Sequence, residues 1–154
     1  MTDSMPPHYR TLVAQARGLL SGQPHQIANA ANLSALIFQE LPDLNWAGFY
    51  FIEGESLVLG PFQGKPACVN IPWGQGVCGT AAATGQTQRV ADVHAFEGHI
   101  ACDTASNSEI VVPLKRDGMV FGVLDIDSPL ANRFDAGDQA GIEALATVYV
   151  ESVG

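Results

Sequence analysis

Residue types that carry redox and proton-transfer chemistry gather in one stretch, Gly98–Glu109, with the sequence GHIACDTASNSE. Cys102 sits there among small polar residues, with His94 and His99 just upstream and Glu109 opening the apolar run Ile110–Leu114. Cysteine favours burial, so Ile100, Ala101 and Cys102 can tuck beneath a loop as an anchor. Carboxylates rarely enter a core unpaired. The stretch reads either as a surface loop with a buried anchor or as a site that joins a thiol to an acid. Two more carboxylates, Asp125 and Asp127, share one face of MVFGVLDIDS beside Val123, with Leu124 and Ile126 opposite. They form either a solvated face near a strand end or part of the same site.

The other thiols are Cys68 and Cys78. An odd cysteine count without a signal segment argues against a secreted disulfide framework. No CxxC or HxxxH spacing occurs, so a structural zinc site is not expected, and neither a metal nor another cofactor is assigned. What remains is three inert core thiols or a cytosolic thiol site, and a cytoplasmic location is the expectation.

The elements that must position these groups are legible from periodicity. A helix is predicted over residues 6–20, with Leu12, Val13, Ala16, Leu19 and Leu20 at helical spacing. Ser21-Gly22 ends it, and a second, wide-striped helix runs from about Pro24 to Leu41. Asn45–Glu53, NWAGFYFIE, reads as a strand. Alternation sets Trp46, Gly48, Tyr50 and Ile52 on one face and Ala47, Phe49 and Phe51 on the other. Two aromatics flanking a glycine leave a gap suited to a small apolar group, or are ordinary core. Ser56–Phe62 and Ala67–Ile71, the latter carrying Cys68, are the next strands. PWGQGVCG turns into a short helix over Val77–Ala83, without the GK[ST] ending of a phosphate loop. Thr87–Val90 is a short strand, and Asp92–Ser108 is a loop long enough to suggest function. Glu109–Lys115 and Met119–Ser128 form a hairpin across Arg116-Asp117-Gly118. A three-residue turn there sets residue 115 beside 119, so 109 pairs near 125, with a slip of one or two residues allowed. Asp135 caps a last helix, Ala136–Val150. The fold class is therefore α+β: a mostly antiparallel six-stranded sheet with helices packed on one face.

With 154 residues, 47% apolar and 15% charged, one domain over 1–154 with a real core is expected. A formal charge of −9 argues against nucleic acid and anionic membrane as partners. No apolar run has signal-peptide or membrane-spanning character. The apolar stripes of the N-terminal helices exceed what one sheet face covers, which suggests a homodimer.

From about residue 24 onward the chain resembles a GAF domain, on NWAGFYF, the hairpin ending GVLDIDS, and FDAGDQAGIEAL. It is similar in particular to the free methionine-(R)-sulfoxide reductases, a standalone branch of that family. The marks are NWAGFY, PACVNIPWGQGVCG with its two cysteines, HIACDTASNSEIVVPL, and LDIDS. The resemblance implies Cys102 as the catalytic cysteine, Cys68 as the main resolving one and Cys78 as a secondary one. It implies that Trp46 and Tyr50 frame the substrate methyl group. Glu109, Asp125 and Asp127 would then hold the polar end or the sulfoxide. Free methionine-R-sulfoxide is the implied substrate, and thioredoxin the candidate reductant.

The chemistry suits these residue types. A thiolate takes the oxygen from sulfur as a sulfenic acid, which a second thiol converts to a disulfide. The departing oxygen needs a proton, and crowded carboxylates raise one another's pKa, so that one of them can stay protonated near neutral pH. Their residual negative charge suits the α-ammonium of a free amino acid. The same acidity opposes thiolate formation at Cys102, so a donor must offset it. The alternative is a ligand-sensing GAF module without chemistry, in which all three thiols are structural.

Overall fold

The computed structural model describes residues 5–98 and 105–154. Six strands form one antiparallel sheet: β1 Trp46–Glu53, β2 Ser56–Gly64, β3 Asn70–Pro72, β4 Gln88–Val90, β5 Ser108–Arg116 and β6 Met119–Ser128. Their spatial order is β3-β2-β1-β6-β5-β4. Four helices accompany them: α1 Pro7–Leu20, α2 Gln26–Glu40, α3 Gly76–Thr84 and α4 Ala136–Val153. Among the described residues no helix is long and apolar enough to cross a membrane.

The period-2 pattern of the strands separates two cores. Ala47, Phe49, Ile110, Val112, Leu114, Leu124 and Ile126 face α1, α2 and α4. Trp46, Tyr50, Val111 and Val123 face the opposite way, toward Leu57, Ile71 and α3. The expectation of helices on one face holds for the three long helices. The short α3 lies on the other face, because it presents only Val77, Cys78, Ala81 and Ala82, small enough to sit close over the sheet. That second core contains the candidate site.

On the first core, Tyr9 rather than Leu19 completes the stripe of α1: Tyr9 is fully buried and Leu19 is 42% exposed. The Tyr9 ring lies over Gly141 of α4, where a Cβ would stand 2.1 Å from its Cγ. Its hydroxyl donates to Asp138 Oδ1 at 2.7 Å. Asp138 also completes a capping box with Asp135 and pairs with Arg133 at 3.3 Å. These bonds fasten α1 to the start of α4. Helix α2 begins after Pro24, with His25 extended at its N-cap.

Two local details differ from the sequence reading, and both affect the site. Asp117 and Gly118 alone form the β5–β6 turn, both at positive φ (53° and 78°), with Arg116 opposite Met119. Those angles match the primed two-residue hairpin turn whose twist suits the flanking strands. A bulge between Leu114 and Lys115 then moves the register on, so Glu109 pairs with Asp127 and Val111 with Asp125. The second detail concerns Cys68, which lies before β3 rather than within a strand. Its segment bonds to side chains in place of ladder partners: Trp46 Nε1 donates to the Lys65 carbonyl and Tyr50 Oη to the Cys68 carbonyl, each at 3.1 Å.

Candidate active site

The site lies on the α3 face, where β1, β6 and β5 run side by side. In register, Trp46 stands opposite Asp127, Gly48 opposite Asp125 and Tyr50 opposite Val123. On the far side of β6, Asp127 meets Glu109. Glu109, Asp125 and Asp127 thus share one face, as alternation requires. Cys78 of α3 closes over them: its Sγ donates to Glu109 Oε2 at 4.0 Å.

This is an expensive place for charge. Glu109 is 8% and Asp125 5% exposed. Burial, then the neighbouring Asp125, push the Glu109 carboxyl well above its ordinary range. Burial, then Asp127, do the same to Asp125. The Cys78 thiol is raised by burial and then by Asp125 and Glu109. Each of these shifts favours the protonated form of its group. A protonated carboxyl donates a hydrogen bond or a proton, and an adjacent carboxylate attracts a cation.

The aromatic wall differs in detail from the expected methyl clamp. Trp46 and Tyr50 are stacked with ring centroids 5.8 Å apart. A methyl between two rings needs carbon contacts of about 3.5–4 Å on each side, so it does not fit between these two. The room at Gly48 belongs to Phe62 instead, since a Cβ there would lie 2.3 Å from the Phe62 Cβ. Phe62 also stacks on Trp46 at 5.1 Å. Trp46 and Tyr50 therefore act as one wall, and their polar tips hold the segment that carries Cys68. The Phe62 stack and these two tethers escaped the sequence reading. Only a gap at Gly48 hinted at them.

The thiols divide. Cys68 is disulfide-bonded, while Cys78 is a buried free thiol. Cys102 and His99 lie outside the described residues. The segments on either side of them are anchored by described contacts. Asn45 Nδ2 donates to Ser106 Oγ at 3.0 Å, and the Asn107 amide to the Ser128 carbonyl at 2.8 Å. His94 Nε2 pairs with Asn107 Oδ1 at 3.1 Å. On the other flank, a Cβ at Gly98 would stand 4.0 Å from the Gly76 nitrogen at the start of α3.

The GAF domain family model matches residues 28–150. A free methionine-R-sulfoxide reductase of Escherichia coli is 55% identical over 137 residues, covering 89% of this chain and 83% of that protein. The chain belongs to the free methionine-R-sulfoxide reductase branch of the GAF family. A Staphylococcus aureus member solved in complex with its substrate superposes with a TM-score of 0.92 at 50% identity, covering 97% of both chains. A GAF sensor protein of Burkholderia vietnamiensis, described as putative, superposes with a TM-score of 0.91 at 64% identity. It covers 94% of this chain and 92% of that one.

Proposed function

We propose that this protein reduces free methionine-R-sulfoxide to methionine. The observation that carries the reading is the carboxyl cluster of buried Glu109 and Asp125 with half-buried Asp127, beside an aromatic wall tied to the Cys68 segment. The kinship with reductases, one solved with substrate bound, supports it.

In this reading the Cys102 thiolate attacks the sulfoxide sulfur. The sulfur–oxygen bond breaks, the oxygen leaves on Cys102 as a sulfenic acid, and methionine is released. Glu109 or Asp127 supplies the proton the oxygen needs. Asp125 faces the α-ammonium, which a methionine inside a polypeptide lacks, and this selects the free amino acid. The Cys68 thiol then condenses with the sulfenic acid, expelling water and forming a Cys68–Cys102 disulfide. The disulfide state of Cys68 supports this pairing. Cys78 is the secondary resolving thiol. A protein dithiol of the thioredoxin type reduces the bridge.

Residues 1–154 act as one domain, in the cytoplasm. Two copies associate through the N-terminal helices, where Leu19 is 42% and Ile27 63% exposed.

The test compares wild type with Cys102→Ser for consumption of free methionine-R-sulfoxide with a dithiol present. Turnover by wild type and none by the variant is expected. Tight ligand binding without turnover by either would favour the sensor reading instead.

A further inference from the structure

We propose that Cys78, Glu109 and Asp125 form a binding site for a thiophilic divalent cation, zinc or cadmium, whose occupancy excludes the substrate. The exclusion rests on the substrate reading above; the metal site does not. The three ligands come from α3, β5 and β6, and one donor atom from each lies within 4.8 Å of the others. In a tetrahedral site, a metal–sulfur bond of about 2.3 Å and a metal–oxygen bond of about 2.1 Å put sulfur and oxygen about 3.6 Å apart. Cys78 Sγ and Glu109 Oε2 stand 4.0 Å apart, so a shift of a few tenths of an ångström suffices there.

A second observation points to a cation. Asp125 Oδ1 is buried and has no hydrogen-bond partner, in a residue only 5% exposed. Buried polar atoms ordinarily find partners. Neither Glu109 nor Asp125 is paired with a lysine or arginine: among the described residues the ion pair is Arg133–Asp138, at the start of α4. A cation held here would satisfy the orphaned Oδ1 and offset the charge of the ligating carboxylates.

The donor set selects the metal. One sulfur and two oxygens suit zinc and cadmium, whereas magnesium and calcium require more oxygen ligands than the cluster offers. Binding releases to the buffer the Cys78 proton and any proton held by the Glu109 and Asp125 carboxyls. The ion would occupy the face at which Asp125 meets the α-ammonium, so metal and amino acid compete.

The experiment titrates cadmium into the full chain carrying Cys68→Ser and Cys102→Ser, which leaves Cys78 as the sole thiol. The readout is the ultraviolet thiolate-to-cadmium absorption. One equivalent should produce the band, zinc should displace it and magnesium should not. Adding Cys78→Ser should abolish it, and adding Asp125→Ala should weaken affinity at least ten-fold with the circular dichroism unchanged. A missing band in the Cys78-only protein, a band that survives Cys78→Ser, or undiminished affinity in the Asp125 variant would overturn the site. Saturating methionine should raise the apparent cadmium dissociation constant at least ten-fold, and no change would overturn the exclusion. If wild type fails to turn over the sulfoxide, the reductase reading falls while the cadmium band still reports on the metal site.

Discussion

Glu109 and Asp127 face each other across β5 and β6, and amide substitution separates their work from that of Asp125. Glutamine and asparagine keep the shape and remove the transferable proton. Glu109→Gln and Asp127→Asn are each expected to lower kcat by about 10²-fold or more, the range of general-acid contributions. Asp125→Asn should act mainly on KM by loosening the hold on the ammonium. Full activity in both Glu109→Gln and Asp127→Asn would remove the carboxylates from the chemistry. The same residues carry a stability signature. The Asp125 carboxyl is held above its ordinary range by burial and by Asp127, so the folded state keeps a proton the unfolded chain gives up. Its contribution is therefore most favourable below the unfolded pKa and is lost as pH rises toward the folded one. Asp125→Asn cannot ionise, so it should melt higher than wild type at neutral pH, by about 2–4 °C for each kcal/mol of penalty removed. At acid pH that advantage should vanish. A variant that melts below wild type at pH 8 by the same margin as at pH 4 would contradict the assigned strain.

At the scale of elements, the β1 strand does two jobs with one row of side chains. Its Trp46 and Tyr50 line the site, and their Nε1 and Oη bonds hold the Cys68 segment against the sheet. Tyr50→Phe removes one such bond, worth about 1 kcal/mol in general, and leaves the ring in place. It should slow disulfide formation at Cys68 and the steady-state rate with dithiol, with KM little changed. Rapid-quench thiol trapping measures this directly, and an unaltered rate of bridge formation would make the tether incidental. The helix pair α1–α4 offers a contrast. A methyl at Gly141 would meet the Tyr9 ring at 2.1 Å, an overlap that demands backbone movement. Gly141→Ala should destabilise by about 1–3 kcal/mol, the usual overpacking cost. The activity of the folded fraction should be kept, since this contact lies across the sheet from the carboxylates.

For the whole molecule, acid stability and assembly are the tests. Burial opposes ionisation of Asp138, yet bonds from Asp135 and Tyr9 and the Arg133 charge hold its carboxyl below the ordinary range. A depressed pKa contributes stability that is present above the unfolded value and lost as pH falls through the folded one. Asp138→Asn should therefore flatten the acid limb of the stability curve while lowering stability at neutral pH, as measured by urea melts from pH 3 to 7. An acid limb identical to wild type would show that the Tyr9–Asp138–Arg133 cluster does not govern it. Light scattering across micromolar concentrations should report a dimer, and Ile27→Glu should shift it toward monomer. A monomer in the wild type would refute the association of the N-terminal helices.

Local periodicity determined much of this molecule. The helical stripes of α1, α2 and α4 and the alternation along β1, β5 and β6 are properties of neighbouring residues, and the elements follow within a few positions. The shared face of Glu109, Asp125 and Asp127 was legible for a further reason: an error of two residues in register leaves every side chain on its own face. The partner of Glu109 was not legible. A two-residue Asp117-Gly118 turn and a bulge at Leu114/Lys115 move it from Asp125 to Asp127. Nor was the meeting of Cys78 with Glu109, or the tie from Tyr50 to Cys68, since these join residues 31 and 18 positions apart. Such contacts arise only when α3 closes over the sheet and β2 brings its far end back to β1. Chain pattern decides which way a side chain points, but packing between distant elements decides what it meets.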